Sequence, residues 1–199
     1  MSDPTPTKGE QTRTDITAAA HDLFITQGYH GTSMRQIAQQ AGIALGGIYN
    51  HFNSKEDIFE AVFIENHPFL EMLPAIEAAQ GETVEALVRD AADLMVATMR
   101  RRTDFLNLMF IEIVEFKSVH ANQLFQHMFP RGLGIVQRFA TVEGQLRPIP
   151  APMLVRAFIG LFFSYQLAEI IFGTSAPPDF SENAMQHYVD IFLHGILEE

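Results

Sequence analysis

Apolar residues recur three and four positions apart along almost the whole of this chain, and no stretch between turn residues alternates apolar with polar. That spacing commits the chain to helices and leaves no strand pattern. A first helix is expected over about Glu10 to Gln27, with Ile16, Ala19, Ala20, Leu23 and Phe24 in one stripe and Gly28 as a left-handed stop. Thr32-Ser33 is a cap signal before a two-turn helix carrying Met34, Ile37, Ala38 and Ala41, which Gly42 closes. A third short helix, Leu45 to His51, offers Leu45, Ile48, Tyr49 and Phe52 for packing. Ser54 to Asp57 resembles a capping box and starts a fourth helix with Ile58, Phe59, Val62 and Phe63, which Pro68 and Pro74 kink or end. After Gly81 longer helices are expected: Thr83 to Arg102, Asp104 to Lys117, Val119 to Val142 broken at Pro130 and Gly132, Pro152 to Phe172, and Ser181 to Leu197. The organisation expected is all-α: a polar, disordered tail over 1–9, a three-helix domain over 10–53 and a larger helical domain over 54–199.

Composition narrows the function. A chain of 199 residues, 47% hydrophobic and 19% charged, folds as a soluble protein with room for one small and one larger helical core. The absence of cysteine excludes disulfides and thiolate metal sites and fits a cytoplasmic protein. Met1 to Gly9 has no signal-peptide character. The longest apolar stretch, Ala157 to Phe172, is interrupted by Ser164, Gln166 and Glu169 and falls short of the ~20 residues a bilayer span needs, so it is expected to be a core or interface helix, with no membrane partner. No phosphate-cradling loop, nucleophile elbow or HExxH pair occurs, so neither an enzyme nor a cofactor or metal is expected. His187 and His194 lie on one helical face without further ligands. Glu112 and Glu115 are better explained as one group facing solvent or a partner and one satisfied polar group lining a pocket than as an acid and base pair. Arg100, Arg101 and Arg102 suit a helix C-terminus.

Two short helices joined by a turn with Gly42, flanked by a packing helix, form the helix-turn-helix pattern whose second helix can enter the major groove; a compact three-helix corner fits the same pattern. The residues from Thr12 to Phe63 discriminate further. Thr12-Arg13, Ile16, Ala20, Leu23-Phe24, Gly28-Tyr29, Thr32-Ser33, Ile37-Ala38, Ala41-Gly42-Ile43, Gly47-Ile48-Tyr49, His51-Phe52 and Ser54-Lys55-Glu56 together resemble the N-terminal domain of the tetracycline-repressor (TetR) family of transcriptional regulators. The resemblance implies a helical homodimer on a near-palindromic double-stranded operator, with Leu45 to His51 as the recognition helix and the remaining chain as an effector-binding and dimerising core. It assigns Thr32, Ser33, Tyr49, His51 and Lys55 mainly to phosphate contacts. Base reading is expected from Tyr49 and Asn50, with close backbone approach at Gly46 and Gly47 beside Leu45, and from Arg35 and Gln36 of the preceding helix. Two features depart from the family: Ala44 stands where Ser or Thr usually caps the recognition helix, and Gly46-Gly47 lowers helix propensity by up to ~1 kcal/mol per Gly relative to Ala.

Charge sets a limit on such binding. Over residues 1–60 there are four basic residues (Lys8, Arg13, Arg35, Lys55) against seven acidic ones, within a net charge of -11, so modest non-specific DNA affinity is expected. The helix Pro152 to Phe172, apolar nearly all round and carrying small residues at Ala157, Gly160, Ser164 and Ala168, is expected at a dimer interface with Met185, Tyr188, Val189, Phe192 and Ile196 of the last helix. A mostly apolar effector, with one polar or cationic group, is expected against Phe105, Met109, Glu112 and Phe116, with Phe125, Met128, Phe129, Phe162, Tyr165, Gln166 and Glu169 as the other walls. The implied function is a repressor that the effector releases from its operator. The alternative is an all-helical ligand-binding or protein-interaction module without DNA binding.

Overall fold

The computed structural model describes residues 6–99, 104–142, 146–173, 175–177, 180 and 182–197, with 75 and 140 by backbone alone. Among them the regular structure is helical, and the chain forms two compact units. The first holds the described residues up to 67 with 104–124; the second holds 68–99 with the residues from 125 onward.

In the first unit, α1 (Lys8–Gly31) opens on a capping box in which the Thr7 hydroxyl accepts from the Glu10 amide while the Glu10 carboxylate accepts from the Thr7 amide. Its helical run breaks at Gly28, where φ is 77°, a value a side chain would resist. Then follow α2 (Met34–Gln40), α3 (Leu45–Ile48), α4 (Lys55–Glu65), α7 (Phe105–Glu115) and the first residues of α8 (Val119–Arg138). α1 packs on α2, α4 and α7. Ile16, Phe24, Ile37, Ile48, Ile58, Phe59, Phe63 and Leu108 are buried between them, each side chain contributing roughly 1.5–3 kcal/mol on leaving water.

In the second unit, α5 (Phe69–Ala78) packs on α6 (Val84–Met99), and the last helix, α10 (Ala184–Ile196), packs on α6 and on α9 (Ala151–Phe172). α8 continues here and ends in a 3-10 turn, Phe139–Thr141. Arg89 joins α6 to α10 through Asp190 at 2.6 Å.

Several expectations are corrected. The stretch between Pro68 and Gly81 holds a separate helix, α5, with Pro74 inside it. α8 runs unbroken through Pro130 and Gly132. Proline removes one helical hydrogen bond, and here Met128 and Phe129 before it and Ile135 and Val136 after it line a common cavity. α4 belongs to the first unit, so the boundary expected at 53/54 falls within that unit, because Phe59 and Phe63 pack among the helices of the three-helix domain and α7. Lys8 and Gly9, placed in the tail, lie in α1. α9 has 22 residues and is long and apolar enough to cross a membrane by length and composition alone. Residues 1–5 of the expected tail, Arg100 to Arg102, and the loop or helix positions Gly144, Thr174, Pro178 and Ser181 lie outside the described residues.

Candidate nucleic-acid interface and ligand cavity

α2 starts on a capping box. The Ser33 hydroxyl accepts from the Gln36 amide at 3.3 Å, and the Gln36 side-chain oxygen accepts from the Ser33 amide at 2.9 Å. Gly42 makes the turn at φ 70°, and Ile37, Ala38 and Ile48 close the small core that sets α3 against α2. Ala44 caps α3 without any side-chain bond, as its methyl requires, and α3 is one turn long.

The residues named for DNA divide into two sets. Arg35, Leu45, Gly46, Tyr49 and Asn50 are exposed, with Gly47 half-buried beside them, and Arg35, Tyr49 and Asn50 make no side-chain hydrogen bond or ion pair. A Cβ at Gly46 or Gly47 would meet nothing within 4 Å. Ser33 and Gln36 are exposed, although the Gln36 oxygen is committed to the cap. His51 is half-buried; its carbonyl accepts from Arg13 Nη1, and the Arg13 guanidinium lies 4.1 Å from the centre of the Phe52 ring.

Thr32 and Lys55 sit differently from the other phosphate candidates. Thr32 is 2% exposed and its hydroxyl donates to the Gly28 carbonyl at 2.9 Å, closing the end of α1. Lys55 Nζ donates to the carbonyls of Tyr29 and Thr32, both at 2.7 Å, and lies 4.1 Å from the centre of the Tyr29 ring. Burial pulls its ammonium below the ordinary lysine value, opposed by the charge of Glu115, while the same burial pushes the Tyr29 phenol up. Both side chains are spent on holding the start of α2 to α1 and α4.

The face of α7 named for the effector is engaged inside the first unit. Phe116 stacks on Phe59 at 4.6 Å and meets Tyr29 edge-on at 4.9 Å; Phe105 meets His67 at 4.6 Å. Glu112 is fully buried and satisfied: its carboxylate accepts from the amides of His120 and Ala121 and lies 2.8 Å from His120 Nδ1. It caps the start of α8, where the negative charge meets the helix N-terminus. Glu115 pairs with His30 at 2.6 Å, and His21 pairs at 2.6 Å with Asp104 ahead of α7.

The second unit contains an apolar cavity that opens to solvent. Of the eleven residues expected at a ligand, Phe125, Met128 and Phe129 line it; Phe105, Met109, Glu112, Phe116, Phe162, Tyr165, Gln166 and Glu169 do not. Its other walls come from α5 and α6 (Leu73, Ile76, Val88, Met95), from α8 (Ile135, Val136, Arg138) and from α9 and α10 (Val155, Phe158, Phe192). The sequence signal for these was the stripe Leu87, Val88, Ala91 and Met95, indistinguishable by spacing from ordinary core. Among the described residues no group of His, Asp and Glu is placed to hold a metal ion.

On the outside of the second unit, Ala157, Gly160 and Ser164 of α9 are exposed, as are Phe163, Ile170, Ile171 and Phe172. On α10 the residues expected at an interface, Met185, Val189 and Ile196, are buried within the protomer because they face α6 and α9, whereas Ile191 is 73% exposed.

Residues 16–62 match the family described as "Bacterial regulatory proteins, tetR family". The chain is 26% identical over 164 residues to the HTH-type transcriptional regulator SrpR of Pseudomonas putida, covering 81% of this chain and 75% of SrpR. It is 36% identical over 66 residues to UidR of Escherichia coli K12, a match spanning 33% of this chain and only 34% of UidR. Its fold is similar to that of SmeT, the repressor of the SmeDEF multidrug efflux pump of Stenotrophomonas maltophilia, with a TM-score of 0.69 and 20% identity over 96% of this chain and 94% of SmeT.

Proposed function

This chain belongs to the TetR family of bacterial regulatory proteins, and on that premise we propose that it is a cytoplasmic, dimeric repressor that an apolar small molecule releases from DNA. One observation carries the DNA-binding half: the exposed face of α2 and α3 presents Arg35, Tyr49 and Asn50 with no internal partners, beside glycines that leave the backbone open. Arg reads guanine and Asn reads adenine in bidentate geometry, so this small set suffices for direct readout. Ser33 and His51 add phosphate contacts; Thr32 and Lys55 position the helices that carry the others.

The effector occupies the cavity of the second unit, whose apolar walls suit a small molecule. The chain passes between the units at 67/68 and, within the unbroken α8, at 124/125. α8 lines the cavity at one end and is capped by Glu112 at the other, so an occupant that displaces it biases the DNA-reading unit. The exposed apolar side of α9, with Ile191 of α10, receives a second copy, since a face of that kind is seldom left to water. Two copies present α3 to half-sites roughly 34–36 Å apart, which makes the operator near-palindromic.

The test is selection of bound genomic fragments by the purified protein, followed by mobility shifts with Tyr49→Ala and Arg35→Ala. Both variants are expected to fold and to lose operator affinity. Wild-type binding by both would place the reading surface elsewhere, and a monomer in light scattering at micromolar concentration would remove the dimer.

A further inference from the structure

Among the described residues Arg138 is the sole charged one in the wall of a cavity otherwise lined by apolar side chains and Gly132. We propose that it makes the cavity selective for an apolar molecule bearing one anionic group, in the simplest case a carboxylate. The inference rests on the cavity being the effector site and adds the sign of charge that the effector carries.

Three features of the structure support it. First, Arg138 is held in place by neutral partners: Nη1 donates to the Glu77 carbonyl at 2.7 Å and Nη2 to the Ala79 carbonyl at 2.8 Å, at the C-terminal end of α5. Carbonyls there favour a cation without cancelling its charge. Secondly, the nearest acid on that helix is taken. The Glu77 carboxylate accepts from Arg131 Nε and Nη2 at 2.9 and 2.6 Å, and that pairing holds it below the ordinary carboxylate range. Among the described residues no carboxylate lies within ion-pair distance of Arg138. Thirdly, a guanidinium carries five N–H donors, of which the two bonds above use two, and a side-chain movement that turns the others toward the cavity would offer them to a planar oxyanion. Beside apolar walls such a contact is less screened than in water.

The sequence pointed to a carboxylate in the pocket and to a mostly apolar effector with one polar or cationic group. Glu112 is instead fully buried as the cap of α8, and the charge at the cavity has the opposite sign.

Three probes with a common apolar body decide the matter: decanoate, decanol and decyltrimethylammonium, each titrated calorimetrically below its micelle concentration into the full-length protein. Wild type is expected to bind decanoate about tenfold or more tightly than decanol, and the cation weakest, which is the scale of one charge-assisted contact. Arg138→Gln should bring decanoate and decanol to within about threefold by removing that contact, with decanol little changed. Arg138→Lys, which keeps the charge and loses the fork, should retain part of the preference. Should Arg138→Gln fail to fold, the ranking in wild type and in Arg138→Lys decides alone. Equal affinity for decanoate and decanol, or a preference that survives in Arg138→Gln, overturns the role of Arg138 and leaves the effector cavity standing. Ile135→Trp, which fills the cavity from its wall, should abolish binding of every probe. Unchanged binding in that variant, or no binding of any probe to wild type, overturns the effector-cavity reading itself.

Discussion

Replacing Lys55 with methionine separates a clamp from a phosphate contact. Methionine keeps the apolar stem and removes the ammonium, and with it two 2.7 Å bonds to the carbonyls of Tyr29 and Thr32 and the contact with the Tyr29 ring. A hydrogen bond to a charged group contributes about 1.5–3 kcal/mol. Part of that is offset because the half-buried ammonium gave up water to make the bonds, so the net loss expected is about 2 kcal/mol. For a chain of this size that lowers Tm by roughly 4–8 °C. The assay is thermal unfolding by circular dichroism at fixed protein concentration, since the Tm of the proposed dimer would depend on concentration. Operator affinity is measured in parallel at several salt concentrations. If Lys55 instead neutralises a phosphate, Tm stays within about 1 °C and the salt slope falls by about 0.9 per protomer. An unchanged Tm refutes the clamp.

Gly46→Ala and Gly47→Ala meet no steric obstacle in the protein, so each is expected to raise stability by up to ~1 kcal/mol and to weaken operator binding by holding DNA off the backbone; undiminished operator affinity would show that the glycines do not serve close approach. Burial holds the His67 imidazole down at about 3, against an ordinary 6.5. The unfolded chain therefore takes up the proton first, and this group's contribution is complete above about pH 6.5 and is lost as pH falls towards about 3, by at most about 1.4 kcal/mol per pH unit. Urea unfolding of wild type and His67→Leu at pH 7 and pH 5 checks the sign, and equal losses in the two proteins would contradict it. Glu112→Gln keeps an oxygen for the amides of His120 and Ala121 but loses the carboxylate charge and puts an NH2 group beside His120 Nδ1, so it should cost about 1–3 kcal/mol of stability while leaving decanoate affinity unchanged. A loss of ligand affinity with unchanged unfolding would return Glu112 to the effector site.

The helices were legible because periodicity and caps are local. Ser33 and Gln36, Ser54 and Asp57, Gly28 and Gly42 each act within a few residues of themselves, and their positions mark the ends of α1, α2 and α4 as expected. Proline was over-weighted: Pro74 and Pro130 lie inside helices that packing retains. The roles of Thr32, Lys55 and Glu112 were not legible. Each depends on a partner brought close by folding, and a polar residue in a motif has the same letter whether it faces DNA or a carbonyl of its own chain. The cavity was misplaced for a related reason. Phe105, Met109, Glu112 and Phe116 share a helical face, but spacing says nothing about which neighbour that face meets. Arg138, the residue that gives the cavity its charge, carries no periodic signal at all.

The scarcity of free cations bears on how such a protein leaves DNA. Of the four basic residues in α1 to α4, Lys55 is tied to two carbonyls and Arg13 to His51 and Phe52, which leaves Lys8 and Arg35 unengaged. Phosphate neutralisation supplies most non-specific affinity, so on the proposed function one copy with this surface would hold DNA weakly, and the hold would depend on two copies engaging together. Tethered engagement of that kind multiplies affinity by roughly 10²–10⁴ only while the geometry fits both sites. A ligand that alters the spacing of the two α3 helices therefore has to supply only the coupling energy of an ordinary allosteric effector, about 1–3 kcal/mol, to remove most of it. A broad basic face would have kept each copy on the DNA after the spacing was lost. If Lys55 and Arg13 serve the fold rather than phosphate, that arrangement would favour release.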